Sequence, residues 1–438
     1  MPVNARNSDA LEALSNRRRY STLLTQSLLM LPLAIAACTV NVSAPVNRIT
    51  EDLTGTRSTP IPSGSVFMPT PSPAPSPSLP TESASPSPSP TATPSPGASA
   101  SPTPSPSPTA TPIQAIHLSS LVSTYAGTGV AGYANGSATT AKFYYPSGIA
   151  VDEKGNVFVA DSGNNRVRKI DVNGVVSNLA GDGGRGLLNG SGSSAQFANP
   201  MGIGVNSLGQ VFVSDQGNDT IRRIDAFGNV SSFAGTHDSY YGSSFTGLAV
   251  SSGPVVYAAD EYQHVIFKTS SNYWLGESDV LAGILWVSGL VDGAGSIAKF
   301  KKPGGIALGP DGYLYVADTG NNLIRKVSPT GVVSIFAGNG FPGLVDGSGN
   351  SVQFNSPSGV AVDPSGNVYV ADSGNRCVRK ITTSGQVATL AGTGSYGHSD
   401  DVGSRATFEN PTGIAVDKNG VVYVVDRFNH KIRKIVQR

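Results

Sequence analysis

One carboxylate returns at regular intervals along this chain of 438 residues, each time within the same short run of amino acids. The six copies are Asp161, Asp215, Asp260, Asp318, Asp372 and Asp426. Carboxylates brought together in this way could bind a metal ion. Asp also accepts hydrogen bonds from backbone N–H groups in turns, and every copy of a repeat would need that role. The sixfold recurrence therefore favours a structural aspartate over a metal ligand.

A second acidic pattern lies in the long connections between the repeats. Two of them read LVDGAGSIAKF (290–300) and LVDGSGNSVQF (344–354), and two more, which begin at Tyr133 and Leu187, have Asn in place of Asp. These loops could bind calcium, but they lack the spaced acidic ligands of an EF-hand. A turn followed by a buried Phe is the favoured interpretation. That Phe recurs as Phe143, Phe197, Phe245, Phe300, Phe354 and Phe408.

Aromatic side chains gather around the third repeat, which is the shortest and has Phe267 where the others have Arg. Tyr240, Tyr241, Tyr262 and Trp286 have large apolar bodies with polar tips, which suit contact with a ligand or a partner protein. We predict that these four residues bind a ligand. The alternative is a degenerate repeat that fills its space with large side chains.

Four short strand signals position these residues within each repeat. In the first copy they are GIAVD (148–152), NVFVAD (156–161), RVRKI (166–170) and VVSNLAG (175–181). The steps between the repeated aspartates are 54, 45, 58, 54 and 54 residues, a period typical of repeat architectures such as propellers. Four antiparallel strands in each repeat would form one propeller blade.

The run PSGIAVDEKGNVFVADSGNNRVRKI around Asp161 resembles the NHL repeat, and its six copies cover residues 117–438. NHL modules are six-bladed propellers in several relatives, so the resemblance implies an all-β fold, a six-bladed β-propeller. It also implies that the connections before the first strand and after the second strand of every blade share one face. The predicted ligand-binding aromatics would then lie on that face.

The two ends of the repeat region indicate how the propeller closes. The last copy stops at Ile435 without a fourth strand signal, whereas residues 118–127 (LSSLVSTYAG) match the fourth-strand pattern and precede the first copy. We therefore predict that an N-terminal strand completes the sixth blade, which would remove two exposed sheet edges.

Some propeller enzymes related to NHL proteins use axial histidines with a metal. No histidine and no Glu of this chain lies on a predicted inner strand, and no Ser/His/Asp or Cys/His arrangement is supported. The five histidines are His117, His237, His264, His398 and His430. We predict no catalytic residue, no metal and no cofactor, and expect non-catalytic binding of a protein, glycan or small ligand. The alternative is an extracytoplasmic lyase or lactonase with an axial site.

The N-terminal region has the layout of an export signal. Residues 17–38, RRRYSTLLTQSLLMLPLAIAAC, place three Arg before an apolar run that ends in small residues. The end of this run resembles the bacterial lipobox, which implies a signal peptide over residues 1–37 and lipidation of Cys38. Several acyl chains on Cys38 would anchor the protein stably to a membrane. A plain signal peptide or an uncleaved anchor helix is the alternative.

Between this signal and the repeats lie a short tether (38–57) and a segment, 58–112, made almost entirely of Pro, Ser, Thr and Ala. Such a segment buries too little apolar surface to fold, so we predict a disordered, extended stalk. From residue 115 onward there are 24 basic and 24 acidic residues, which argues against nucleic-acid binding. We expect a monomer, lipid-anchored and extracytoplasmic in a bacterial cell envelope, at the outer membrane or cell surface.

Overall fold

A computed structural model describes residues 119–236, 244–270, 274–275 and 279–438 of the chain. The predicted signal peptide, Cys38, the tether and the stalk lie outside these residues. The described residues form six mainly antiparallel sheets, one for each repeat. The innermost strands of these sheets contact one another in a closed ring. The fold is therefore the all-β, six-bladed propeller that the sequence predicts.

The described residues contain 29 strands. In chain order they are β1 (Ser120–Ala126), β2 (Gly136–Ser137), β3 (Ile149–Val151), β4 (Val157–Asp161), β5 (Arg166–Ile170), β6 (Val175–Ala180), β7 (Gly190–Ser191), β8 (Pro200–Val205), β9 (Val211–Asp215), β10 (Thr220–Ile224), β11 (Asn229–Thr236), β12 (Phe245–Val250), β13 (Val256–Asp260), β14 (Val265–Thr269), β15 (Trp274–Leu275), β16 (Val280–Ala282), β17 (Pro303–Leu308), β18 (Leu314–Asp318), β19 (Leu323–Val327), β20 (Val333–Ala337), β21 (Gly347–Ser348), β22 (Pro357–Val362), β23 (Val368–Asp372), β24 (Cys377–Ile381), β25 (Gln386–Ala391), β26 (Asp401–Val402), β27 (Pro411–Val416), β28 (Val422–Asp426) and β29 (Lys431–Gln437).

Each blade is a four-stranded meander, with its first strand at the propeller axis. The sheets of blades 1 to 6 run outward from β3, β8, β12, β17, β22 and β27. The short strands β2, β7, β21 and β26, of two residues each, pair with the fourth strands of their sheets, and β15 pairs parallel with β11. One-turn 3-10 helices follow the second strand in five blades, and a sixth precedes blade 5. They span Ser162–Asn164, Gln216–Asn218, Thr319–Asn321, Gly349–Ser351, Ser373–Asn375 and Arg427–Asn429.

The second strand of each blade is the most deeply buried because neighbouring blades cover both of its faces. All five residues of β4 (VFVAD) are buried, although the strand ends in a carboxylate. The core lies between blades: Ala150 of blade 1 packs in one cluster with Phe197 and Val213 of blade 2. The six recurring Phe residues are fully buried. Burying one such side chain contributes about 1.5–3 kcal/mol.

The N-terminal strand closes the propeller, as predicted. Strand β1 lies antiparallel to β29, with Leu121 opposite Val436 and Val122 opposite Ile435. Its other edge pairs with β26, where Leu121 faces Val402. The sixth blade is therefore assembled from both ends of the repeat region, and its third strand has no open edge.

The hairpins between the first and second strands use glycine in the left-handed region, and blade 3 is the exception. Gly155 has a φ of +88°, and the matching glycines of blades 2, 4, 5 and 6 are also positive. In blade 3 the position of this glycine is taken by Pro254, and the neighbouring Gly253 is not among the positive-φ residues. Pro254 cannot donate the hydrogen bond that the Gly155 N–H donates to the Asp152 carbonyl (3.0 Å), whereas the outer bond of the hairpin, from the Ser251 N–H to the Val255 carbonyl (2.9 Å), is kept. Within the described part of the chain, no helix has the length and apolarity needed to span a membrane.

Candidate functional site at the propeller axis

The repeated aspartates are structural acceptors inside each blade. In blade 1, Asp161 Oδ1 accepts the backbone N–H of Tyr144 (2.8 Å), in the connection that precedes the first strand. Asp161 Oδ2 accepts the Asn164 amide (2.9 Å) and the Arg168 guanidinium (2.9 Å). The carboxylate thus holds the preceding connection through a backbone N–H and the following turn through the Asn164 side chain. All six aspartates are fully buried.

The recurring arginine is the buried partner of this carboxylate. Arg168 also donates to the carbonyls of Lys142 (3.0 Å) and Ala134 (2.8 Å) and to the side chain of Asn135 (2.8 Å). The same pairing joins Asp215 to Arg222, Asp318 to Arg325, Asp372 to Arg379 and Asp426 to Arg433. Burial raises the pKa of Asp161, Asp215, Asp318 and Asp372, and the arginines and hydrogen bonds oppose that shift.

Blade 3 departs from this pattern because Phe267 replaces the arginine. Asp260 Oδ1 accepts the backbone N–H groups of Tyr262 (2.9 Å) and Gln263 (2.8 Å), and Oδ2 accepts that of Ser244 (3.2 Å). Here the carboxylate holds both the preceding connection and the turn that follows it.

A cavity of about 260 Å³ lies on the axis, where the six first strands converge. Each blade contributes three consecutive residues with a glycine at the centre. These glycines are Gly148, Gly202, Gly247, Gly305, Gly359 and Gly413. A Cβ on Gly148 would clash with the Met201 carbonyl oxygen of the next blade, and the other five glycines meet their neighbours in the same way. Glycine at this position therefore allows the first strands of neighbouring blades to approach closely around the axis.

The residue directly after each repeated Asp varies among the blades, and Ser is the one type that occurs twice. In order these residues are Ser162, Gln216, Glu261, Thr319, Ser373 and Arg427. Glu261, Thr319 and Arg427 line the cavity. No Glu was expected on an inner strand, and none lies there, but Glu261 reaches the axis from the end of a second strand. The charged groups of the cavity are thus one carboxylate and one guanidinium.

Arg427 has few protein contacts for a half-buried guanidinium. Its Nη1 lies 3.9 Å from the Met201 sulfur, and among the described residues it forms no ion pair within 4 Å. Burial lowers the pKa of the Arg427 guanidinium, and Tyr145 acts in the opposite direction. Glu261 lies in blade 3, across the ring from the blade 6 residue Arg427.

Two of the predicted ligand-binding aromatics meet on the face where the second strands end. The rings of Tyr262 and Trp286 make an edge-to-face contact, with centroids 5.5 Å apart. Tyr262 is 61% exposed and Trp286 is 45% exposed. Tyr240 and Tyr241 lie outside the described residues.

Sequence reasoning missed a second aromatic cluster, on the same face between blades 6 and 1. Tyr145 contacts the rings of Tyr144 (4.8 Å), His430 (4.9 Å) and Phe428 (5.9 Å). His430 Nδ1 accepts the Tyr145 backbone N–H (3.1 Å). A column-by-column comparison of the repeats would have found it, because Phe428 and Tyr262 replace a glycine at the same repeat position.

The two histidines at one repeat position tie neighbouring blades together. His264 Nδ1 accepts the Lys302 backbone N–H (3.2 Å), as His430 does for Tyr145. Asn165 does the same for Asn199 with its side-chain oxygen (3.0 Å). Burial lowers the pKa of His264 and of His430, which keeps Nδ1 available as an acceptor. Among the residues of known placement, no group of three or more His, Cys, Asp or Glu could hold a metal ion.

The repeats of this chain match those of known proteins. The NHL repeat family matches residues 143–170, 300–327, 354–381 and 408–435. The chain is 31% identical over 325 residues to the Arabidopsis thaliana chloroplastic protein Suppressor of quenching 1, covering 68% of this chain and 30% of that protein. It is 28% identical over 336 residues to NHL repeat-containing protein 2 of Gallus gallus, covering 66% and 46%. The chain thus spans less than half the length of these relatives.

Solved structures show the same fold at lower identity. A Bacteroides thetaiotaomicron protein of unknown function aligns with a TM-score of 0.57 and 22% identity, covering 73% of this chain and 76% of that one. An auxiliary nutrient binding protein from Bacteroides ovatus aligns with a TM-score of 0.54 and 20% identity, covering 74% and 78%. Together, the sequence matches and the ring of six sheets make the chain an NHL-repeat protein with a six-bladed β-propeller fold.

Proposed function

We propose that this protein is a non-catalytic binding protein whose ligand enters the axial cavity from the face where the second strands end. One observation carries the proposal. In blade 3, Asp260 is followed by Glu-Tyr-Gln-His, and in blade 6, across the ring, Asp426 is followed by Arg-Phe-Asn-His. The other four blades keep glycine where these two have an aromatic residue. The glycines are Gly163, Gly217, Gly320 and Gly374.

An aromatic residue at this glycine position, as in blades 3 and 6, would destabilise a repeat that served the fold alone. A Cβ on Gly163 would lie 2.5 Å from atoms of Tyr144 in the preceding connection, and one on Gly374 would lie 2.5 Å from Asn355. An aromatic residue at this position therefore requires a different neighbouring connection as well. Because the change occurs in two facing blades, beside the two charged groups of the cavity, it supports a site that spans the axis.

The size and lining of the cavity suit a small polar ligand. Pockets for small molecules combine an apolar wall with a few polar groups that fix the orientation of the ligand. Here backbone and aliphatic residues such as Ile149 and Ile414 form the wall, and Glu261 and Arg427 supply the charges. The exposed pair Tyr262 and Trp286, with Tyr240 and Tyr241 in our proposal, would contact the outer part of a larger ligand or a partner protein.

The cellular setting of this binding is part of the same proposal. We infer a signal peptide over 1–37, a lipid anchor on Cys38, a tether over 38–57 and a stalk over 58–112. At about 3.1 Å per residue, an extended Pro-rich stalk would hold the propeller up to roughly 170 Å from the membrane. A binding domain on such a stalk would sample ligands outside the cell. Because the solved structures share the fold at low identity, the proposal rests on the side chains of this chain.

Filling the cavity tests the proposal. The full chain, purified in detergent, would be screened by thermal shift and calorimetry against sugars, oligosaccharides, amino acids and nucleosides. Met201→Trp places a large side chain in the cavity, and Leu208→Trp, at a 68% exposed position, is the matched control. We expect a ligand to bind at least about tenfold more weakly to Met201→Trp, since a buried contact is worth about 2 kcal/mol. A ligand that binds both variants equally would contradict an axial site.

The same preparation separates binding from the lyase or lactonase alternative. Chemical change of the bound ligand on incubation would favour catalysis, as would a stoichiometric metal that survives dialysis against a chelator. Recovery of the ligand unchanged would support a binding protein.

A further inference from the structure

Four of the six side chains that follow the repeated Asp are already satisfied by the next blade. The hydroxyls of Ser162, Thr319 and Ser373 each donate to a backbone carbonyl at the start of the following first strand. The Gln216 amide donates to Ser244 Oγ (2.7 Å). These four residues thus help to hold adjacent blades together and have little hydrogen-bonding capacity left for a ligand.

Glu261 and Arg427 are the two that remain. Both line the cavity, and within the described chain the Glu261 carboxylate has no hydrogen-bonded or ion-paired partner. The contrast with the five repeat arginines is sharp, because each of those is held by a fully buried aspartate, as Arg433 is by Asp426. A guanidinium that is taken partly out of water needs an anionic partner to offset the loss of hydration.

We infer that the ligand of the axial cavity carries a carboxylate, which binds Arg427, and an ammonium or hydroxyl donor, which binds Glu261. This inference rests on the proposed function and adds the chemical class of the ligand. The cavity contains one guanidinium and one carboxylate. Its guanidinium can therefore balance one negative charge on the ligand. The planar guanidinium fork matches a carboxylate with two parallel hydrogen bonds.

Glu261 determines the orientation in which the ligand binds. A carboxylate turned toward Glu261 would meet a like charge, which is a penalty that selects one orientation of the ligand. An ammonium or hydroxyl group turned toward Glu261 would instead form a charge-assisted hydrogen bond. Amino acids and sugar acids both carry this pair of groups, and their second group distinguishes them.

Matched probes test the inference on the full chain in detergent. Two pairs differ in the carboxylate: glucuronate with glucose, and L-alanine with L-alaninamide. We expect the wild-type protein to bind the carboxylate member of one pair about 10- to 100-fold more tightly, the range for a hydrogen bond to a charged group. Arg427→Gln should abolish that preference and leave the affinity for the neutral member unchanged. Arg405→Gln, which removes an exposed arginine, is the control and should keep the preference.

Glu261→Gln tests the other end of the site. It should weaken the binding of both members of the preferred pair, because both retain the donor group. If the preferred pair is the alanine pair, the donor is an ammonium group. Equal affinity for both members of both pairs, or equal loss of both members in Arg427→Gln, would overturn the inference. If neither carboxylate binds while another ligand is lost in Met201→Trp, the inference is wrong and the proposed function stands. If no ligand is sensitive to Met201→Trp, the proposed function itself fails.

Discussion

Trp286 occupies a backbone position that the other described connections give to glycine, and this predicts an unusual mutational result. Its φ is +66°. The matching residues, each six positions before the Asn or Asp that binds the repeat arginine, have φ between +83° and +92°. They are Gly129, Gly183, Gly340 and Gly394. A large L-residue in this region strains the backbone, since Cβ comes too close to the following carbonyl oxygen.

The size of the effect follows from two opposing terms. A residue with a Cβ in the left-handed region costs about 1–2 kcal/mol relative to glycine. Glycine loses more backbone entropy on folding than alanine does, which offsets about 0.5–1 kcal/mol of this difference in stability. Trp286→Gly should therefore be more stable than Trp286→Ala by about 0.5–1 kcal/mol. Both variants lose the same edge contact with Tyr262, so the difference between them isolates the backbone.

Urea unfolding followed by circular dichroism measures this difference, and Tyr262 supplies the control. Tyr262 is also an exposed aromatic residue of blade 3, but it is not among the positive-φ residues. There the order should reverse, with Tyr262→Ala more stable than Tyr262→Gly by about 0.5–1 kcal/mol. If Trp286→Ala were as stable as Trp286→Gly, the strain argument would be refuted. If the indole also contacts ligand, both Trp286 variants should bind roughly tenfold more weakly.

Three further results follow from the sequence and the fold. Arg325→Met should destabilise the propeller by about 3–5 kcal/mol, because it leaves the buried Asp318 carboxylate without its arginine, whereas the exposed Arg405→Met should change stability by about 0.5 kcal/mol or less in the same denaturant titration. Deletion of residues 118–127 removes β1 and should lower the melting temperature and solubility; melting at the wild-type temperature would show that this strand is dispensable. Cys38→Ser should release the protein from the membrane fraction, and a variant that stayed membrane-bound with an intact N-terminus would contradict lipidation.

The fold could be predicted from the sequence because its determinants are local and repeated. The apolar second strand, the glycine-containing hairpin and the terminal Asp recur along the chain. The pattern can therefore be recognised even where one copy departs from it. The closure of the ring could also be predicted, because the last copy lacks a fourth strand signal and the N-terminal segment around Val122 supplies one. The hairpin of blade 3 is the exception, because Pro254 stands at the repeat position that is glycine in the other blades.

The candidate site was harder to predict because it lies in the positions that vary. Sequence reasoning compared the constant Asp, Arg and Phe positions, and it looked for charges on the inner strands. Glu261 and Arg427 directly follow second strands, and they line the axial cavity beside the first strands. Whether a side chain at that point turns to the axis or to the next blade depends on tertiary contacts, as the bonded Thr319 shows.

A sixfold ring constrains where a selective site can arise. Equal blades would place six copies of any side chain around the axis, and six like charges at that distance repel strongly. The constant positions of this propeller carry the buried ion pairs and the core, whereas the position after each Asp varies between residues that bond the next blade and, in blades 3 and 6, the two charged residues of the cavity. A single carboxylate in blade 3 and a single guanidinium in blade 6 then convert a symmetric opening into one with two distinct ends. Such an opening can orient a ligand whose own ends differ, whereas a symmetric ring cannot.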